Sequence, residues 1–221
     1  MEWSLPRVRS FLTGHLKCGV FLPFASVRLS WERYTDRVRD ALEIPELTSL
    51  HETADPAALV QEASALIVGG GNTFCLLREL ENRDVLAPLQ ERIRQGCPYL
   101  GWSAGANLAC PTIQTTNDMP IQQPRSFRAL NLVPYQINPH FTPDRLPHHG
   151  GESRLDRIQE FLTLHPEAVV VGLPEGTGLE VSADRHVIFG RQAVHYFSTT
   201  GTREIPPGDC IPVSTTSMMK P

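Results

Sequence analysis

Between Tyr99 and Asn107 the chain reads Tyr-Leu-Gly-Trp-Ser-Ala-Gly-Ala-Asn, which places Ser103 inside Gly-x-Ser-x-Gly. A short apolar run precedes the serine, and small, helix-compatible residues follow it. This is the sequence form of a nucleophile elbow, a tight strand-to-helix turn that holds a hydroxyl in the open. It constrains the fold, because such a turn needs a strand that feeds directly into a helix. Gly101 and Gly105 fit this reading, since a Cβ at either would clash with the turn or with an incoming substrate. The backbone N–H of Ala104, at the helix start, can point at a developing oxyanion.

The rest of the chain alternates as such an elbow requires. Cys18-Gly19-Val20-Phe21-Leu22-Pro23-Phe24 reads as a buried strand. Residues 31–42 carry Trp31, Tyr34, Val38, Ala41 and Leu42 at helical spacing, with Ser30 placed as N-cap. Ala65-Leu66-Ile67-Val68 is continuously apolar, as a parallel strand covered on both faces should be. It ends in Gly69-Gly70-Gly71-Asn72-Thr73, and a helix is predicted from Phe74. A second helical pattern over residues 85–94 leads to the strand before Ser103. Residues 132–137 read as extended and run into Asn138-Pro139-His140-Phe141. Ser153 and Asp156 form a capping box, opening a helix with Leu155, Ile158, Phe161 and Leu162 on one face. Residues 168–173 are another buried strand, and residues 181–198 read as two short strands around Ala183-Asp184-Arg185.

The expected class is therefore α/β, a three-layer sandwich around a mostly parallel sheet, with a short β-hairpin region near the C-terminus. Residues 1–200 are expected to form a single domain. Residues 201–221 read as a polar, proline-containing tail without periodicity, either disordered or ordered by docking on a partner.

Composition removes several classes of function. The net charge of -4 is mild and the basic residues are scattered, so no nucleic-acid partner is expected. No apolar run reaches the ~18 residues of a membrane span, and the N-terminus is not a secretory signal. Five cysteines, an odd number without Cys-x-x-Cys spacing, read as reduced thiols in a cytoplasmic protein.

A serine hydroxyl needs a general base, usually histidine. Of the eight histidines, His140 follows an apolar run and a proline, where an α/β sheet presents residues at its strand ends. A hydrogen-bonded loop histidine is the alternative there. His148 and His149 sit in a Pro/Gly-rich loop with no acidic partner at ligand spacing, so no metal is expected. Glu175, in Leu173-Pro174-Glu175-Gly176, is again at a strand end and can orient an imidazole; Asp118 and Asp144 are competitors. The order Ser103, His140, Glu175 differs from the α/β-hydrolase order, in which histidine comes last. The loop at residues 69–73 could cradle phosphate, or could offer backbone N–H groups to a substrate oxyanion. It lacks the lysine of a P-loop. Arg154 stands beside its helix cap, where a cation is unfavourable by roughly 0.3–1 kcal/mol. It either binds a carboxylate bidentately or is a solvated surface arginine.

Taken together, these stretches resemble the peptidase E family, α-aspartyl dipeptidases with a class I glutamine amidotransferase-like fold. The matching segments include Val20-Phe21-Leu22-Pro23-Phe24-Ala25, Ile67-Val68-Gly69-Gly70-Gly71-Asn72-Thr73-Phe74 and Gly101-Trp102-Ser103-Ala104-Gly105-Ala106-Asn107. Thr115-Thr116-Asn117-Asp118-Met119-Pro120-Ile121, Gln136-Ile137-Asn138-Pro139-His140-Phe141, Gly151-Glu152-Ser153-Arg154 and Gly172-Leu173-Pro174-Glu175-Gly176 complete the set. The resemblance implies Ser103 as nucleophile, His140 as base, Glu175 as orienting acid, and Gly71 and Ala104 in an oxyanion hole. It implies that Arg154, with Asn72 nearby, reads the side-chain carboxylate of an N-terminal aspartate. The implied activity is hydrolysis of Asp-X dipeptides with no metal or cofactor. The expected partner is a small peptide, with room for a homodimer. Two departures from the family pattern are expected. The chain starts at about the helix after the family's first apolar strand, so that either the start is truncated or another segment fills that sheet position. The polar tail reads as longer than usual. A cyanophycinase-like β-aspartyl peptidase and a non-catalytic scaffold of the same fold are the rival readings.

Overall fold

The computed structural model describes residues 2–15, 17–145 and 150–213. Its first half is a parallel sheet built from the apolar runs. The strands β1 (Gly19–Leu22), β2 (Thr48–Ser49), β3 (Ala65–Val68) and β4 (Tyr99–Gly101) lie in the order β2-β1-β3-β4. All three pairings are parallel, so the four strands end at one edge. The helix α1 (Leu5–Leu12) precedes β1, and α2 (Trp31–Leu42), α3 (Pro56–Glu62), α4 (Thr73–Asn82) and α5 (Leu86–Arg94) lie between the strands in sequence. Ser30 caps α2, its side chain accepting from the Arg33 N–H.

Strand alternation decides which helix covers which face. Val20, Leu22, Leu66 and Val68 pack against α3, α4 and α5 through Val60, Leu76, Leu77, Leu80 and Leu89. Phe21, Ala65 and Ile67 point the other way, onto Leu12 of α1 and Val38 and Leu42 of α2. These strands are buried along their whole length, which is why the runs are continuously apolar.

The second half is mixed. The strands β5 (Gln136–Pro139), β6 (Val170–Leu173), β9 (Val194–Ser198) and β10 (Gly201–Ile205) lie in the order β10-β9-β6-β5. Only β5 and β6 are parallel. The helix α7 (Arg154–Leu164), opened by the Ser153–Asp156 capping box, covers one face through Ile158 and Leu162. A hairpin of β7 (Thr177–Val181) and β8 (His186–Gly190) contributes Ile188 to the cluster on the other face. The architecture is thus α/β with a mostly parallel central sheet in two hydrogen-bonded parts.

The short helix α6 (Ala104–Leu108) follows β4 and packs on β5. Residues 110–117 run along the edge of β5 and satisfy it mainly with side chains. Cys110 Sγ accepts from the Ile137 N–H at 3.1 Å, and Thr115 Oγ1 donates to the Ile137 carbonyl at 3.0 Å.

Two expectations need correction. The tail does not start at residue 201. Residues 201–205 form β10, paired antiparallel to β9, and both Ile205 and Ile211 are buried. The core therefore continues past the expected boundary, and residues 214–221 lie outside the described ones. The extended segment expected at residues 132–137 is also shorter, since the strand begins at Gln136.

Candidate active site

The chain at the end of β4 makes a sharp turn. Ser103 has φ 53° and ψ -111°, a backbone conformation that a non-glycine residue rarely holds. The flanking glycines make the turn possible. A Cβ on Gly101 would stand 2.6 Å from the Gly105 carbonyl oxygen, and one on Gly105 would stand 2.5 Å from the Val68 oxygen. The elbow is thus wedged against β3, and its serine projects at the edge where the parallel strands end. Such local strain persists where the surroundings fix it, commonly at functional sites.

Parallel pairing brings the next two residues together. Pro139 of β5 lies opposite Leu173 of β6, and the Phe141 N–H donates to the Leu173 carbonyl at 2.9 Å. His140 and Glu175 therefore emerge side by side just past adjacent strand ends. His140 also has a positive φ of 56°, which turns its ring off the strand line. Its Nε2 lies 3.0 Å from Ser103 Oγ, and its Nδ1 pairs with Glu175 Oε1. The three groups form one chain from hydroxyl to imidazole to carboxylate. Ser103 comes from the first sheet, while His140 and Glu175 come from the second. The Glu175 side chain is 75% exposed. Its main chain is held instead, by Gln192 Nε2 donating to its carbonyl at 2.8 Å.

The glycine loop after β3 lies against the elbow. A Cβ on Gly70 would stand 3.0 Å from Ser103 Cβ. Gly71 has φ +142°, and a Cβ there would stand 2.2 Å from the Ala25 carbonyl oxygen, so only glycine fits. Neither the Gly71 N–H nor the Ala104 N–H has an acceptor among the described residues. Two unsatisfied amide donors beside a serine hydroxyl can bind an oxyanion.

Asn72 and Arg154 are both tied to the fold. Asn72 Oδ1 caps α4 by accepting from the Cys75 N–H, and its Nδ2 donates to the Met119 carbonyl at 2.9 Å. Arg154 Nη1 donates to the carbonyls of Pro139, at 3.0 Å, and of His140. Its Nε and Nη2 have no acceptor among the described residues. Burial, reinforced by the Arg157 cation, lowers the pKa of Arg154, while Glu175 nearby opposes this.

The competing carboxylates lie elsewhere. Asp118 Oδ2 accepts from the Thr73 N–H at 2.8 Å, Thr73 Oγ1 at 2.6 Å and Thr116 Oγ1 at 3.0 Å. It anchors the start of α4, directly after the glycine loop, and not the histidine. Asp144 accepts from Thr142 Oγ1. His148 and His149 lie outside the described residues. Sequence reasoning missed the anchoring by Asp118 and Gln192. The segment Thr115 to Asp118 was part of the family resemblance, but nothing in it signals a contact with Thr73.

Comparison with known proteins identifies the family. The model of Peptidase family S51 matches residues 2–189. Peptidase E of Salmonella typhimurium LT2 is 48% identical over 199 residues, covering 89% of this chain and 86% of the relative. Peptidase E of Salmonella paratyphi A ATCC 9150 matches to the same extent. Among solved structures, a peptidase from an acI-B1 Actinobacterium superposes with a TM-score of 0.69 at 19% identity, covering 96% of this chain and 91% of the other. A peptidase E protein from Listeria monocytogenes EGD-e gives 0.63 at 22% identity, covering 85% and 93%. At those identities the structural matches speak to the fold.

Proposed function

Because this chain belongs to peptidase family S51 and is therefore a peptidase, we propose that it is a serine exopeptidase hydrolysing dipeptides with an N-terminal aspartate. The observation that carries this reading is the unbroken path from Ser103 Oγ through His140 to Glu175, beside two free amide donors. Ser103 attacks the scissile carbonyl, and His140 Nε2 takes the hydroxyl proton. The N–H groups of Gly71 and Ala104 bind the oxyanion of the tetrahedral intermediate. The imidazolium gives its proton to the leaving amine, which departs and leaves an acyl-enzyme on Ser103. Water, activated by the same imidazole, then hydrolyses that ester. Glu175 accepts the Nδ1 hydrogen bond throughout, holding the tautomer and stabilising the imidazolium.

Arg154 supplies the preference for aspartate. With Nη1 fixed on two strand-end carbonyls, its Nε–Nη2 edge is the free side of the guanidinium fork. A carboxylate accepts two parallel hydrogen bonds from such an edge. Asn72 supports the same pocket from the glycine loop.

The test is a fluorophosphonate label mapped by peptide sequencing, followed by a panel of Asp-Leu, β-Asp-Leu and Ala-Leu. Labelling at Ser103 and a clear preference for Asp-Leu are expected. The Ser103→Ala variant should lose on the order of 10⁴-fold or more in kcat. Normal turnover by that variant would end the serine mechanism. A preference for β-Asp-Leu would move the assignment to the β-aspartyl reading.

A further inference from the structure

The carboxylate of Glu175 is open to solvent, so what aims it must lie in the backbone that carries it. That backbone leads into the β7–β8 hairpin. Arg191 N–H donates to the Gly176 carbonyl at 3.0 Å, and Gly190, with φ +117°, leaves only 2.2 Å between its ideal Cβ position and the same oxygen. The preceding residue, Phe189, lies over Gly178, where a Cβ would stand 2.5 Å from its ring.

Phe189 is also held by residues that precede β1. The Trp3 ring lies 5.7 Å from the Phe189 ring, centroid to centroid. The Arg7 guanidinium sits 4.6 Å above the Phe189 centroid, and its Nε and Nη2 donate to Glu180 Oε2 at 2.9 and 2.6 Å. Arg7 belongs to α1, whose Leu5, Val8 and Leu12 pack with Phe21 and Trp102 of the elbow half. The helix is thus seated in the same apolar cluster that Trp102, the residue preceding Ser103, packs against. Its first turn, through Arg7, grips the hairpin that follows Glu175.

We propose that Trp3 and Arg7 are positioning residues for Glu175, acting through Phe189 to set the hairpin that carries it relative to the Ser103 elbow. This rests on the serine peptidase reading above. The exposed Arg7–Glu180 pair adds little to stability, so its effect belongs in the placement of the carboxylate. Misplacement of a catalytic group by about 1 Å from a remote change can cost about 100-fold, and a partial shift is expected here.

The experiment combines Arg7→Met and Glu175→Ala, singly and together, with Glu180→Gln as a second way to loosen the same contact. Kinetics on Asp-Leu and the rate of fluorophosphonate labelling at Ser103 are read on each, with thermal unfolding to confirm folding. Arg7→Met is expected to lower kcat and the labelling rate by roughly 10-fold with KM changed less than about twofold. In the Glu175→Ala background it should add nothing, because the group it positions is gone. An equal loss in both backgrounds overturns the proposal, and so does an unchanged labelling rate in folded Arg7→Met and Glu180→Gln. Absence of labelling in the unmodified chain overturns the serine reading and this inference with it. Labelling of the unmodified chain that is insensitive to Arg7 overturns the inference alone.

Discussion

Ser103 was legible in the sequence because the two glycines flanking it have no other use at a strand end. The structure shows the reason, since a Cβ on Gly101 or Gly105 would clash with a carbonyl oxygen at 2.6 or 2.5 Å. Gly71 gives the sharpest steric test. Gly71→Ala brings a methyl against the Ala25 carbonyl at a φ that alanine avoids. Peptide hydrolysis should fall by on the order of 10²-fold or more as the amide donor is displaced. Steady-state kinetics check this, and normal activity would remove Gly71 from the oxyanion hole. Arg154 was only half legible. Its place at a helix start marked it as unusual, but its acceptors are backbone carbonyls of residues 139 and 140, which no side-chain pattern announces. Its replacement should therefore have two effects. Arg154→Met should cost about 2–5 kcal/mol in kcat/KM on Asp-Leu, from the unpaired substrate carboxylate. On Ala-Leu the loss should be on the order of 1 kcal/mol, from the freed strand-end carbonyls. Equal losses on the two substrates would leave Arg154 with the second role only.

Among the elements, the buried strands and the amphipathic helices were readable and the edges were not. The helix α1 carries Leu5, Val8 and Leu12 at helical spacing, but over only about two turns, too short a run to stand out. The strand β10 reads as a polar tail because four of its five residues are exposed and only Ile205 is buried. The hairpin carries a different signal. His186 on β8 is buried, and its Nδ1 lies 2.9 Å from the Tyr135 hydroxyl. Burial disfavours the imidazolium, so the pKa of His186 is lowered from 6.5 in the fold. As pH falls through 6.5 the unfolded chain binds the proton first. Stability then drops with falling pH until the folded value is passed, and levels off below it. The fall in Tm between about pH 7.5 and pH 5 should therefore be smaller in His186→Gln, even if that variant starts lower. Differential scanning calorimetry at the two pH values decides this, and an identical fall would show that other groups set the acid limb.

At the scale of the whole molecule, the core runs to Ile211, so a chain ended after Thr200 loses more than a tail. It forfeits β10 and the burial of Ile205 and Ile211, each about 1.5–3 kcal/mol. Such a truncation should express as a destabilised or aggregating protein, which a urea unfolding curve would show. The same view gives the two-part sheet a consequence of its own. The nucleophile and its amide donors ride on one ladder, the base and its carboxylate on the other, and no ladder hydrogen bonds join the two among the described residues. A hydrogen bond of 3.0 Å between Ser103 and His140 spans that seam. Small excursions of one half against the other break it without melting a strand or a helix. Inactivation and unfolding then become separate events. In a urea titration, hydrolysis should vanish at a concentration where far-UV circular dichroism is still that of the folded chain. If the two transitions coincide, the halves move as one body and the seam is as firm as the sheets it divides.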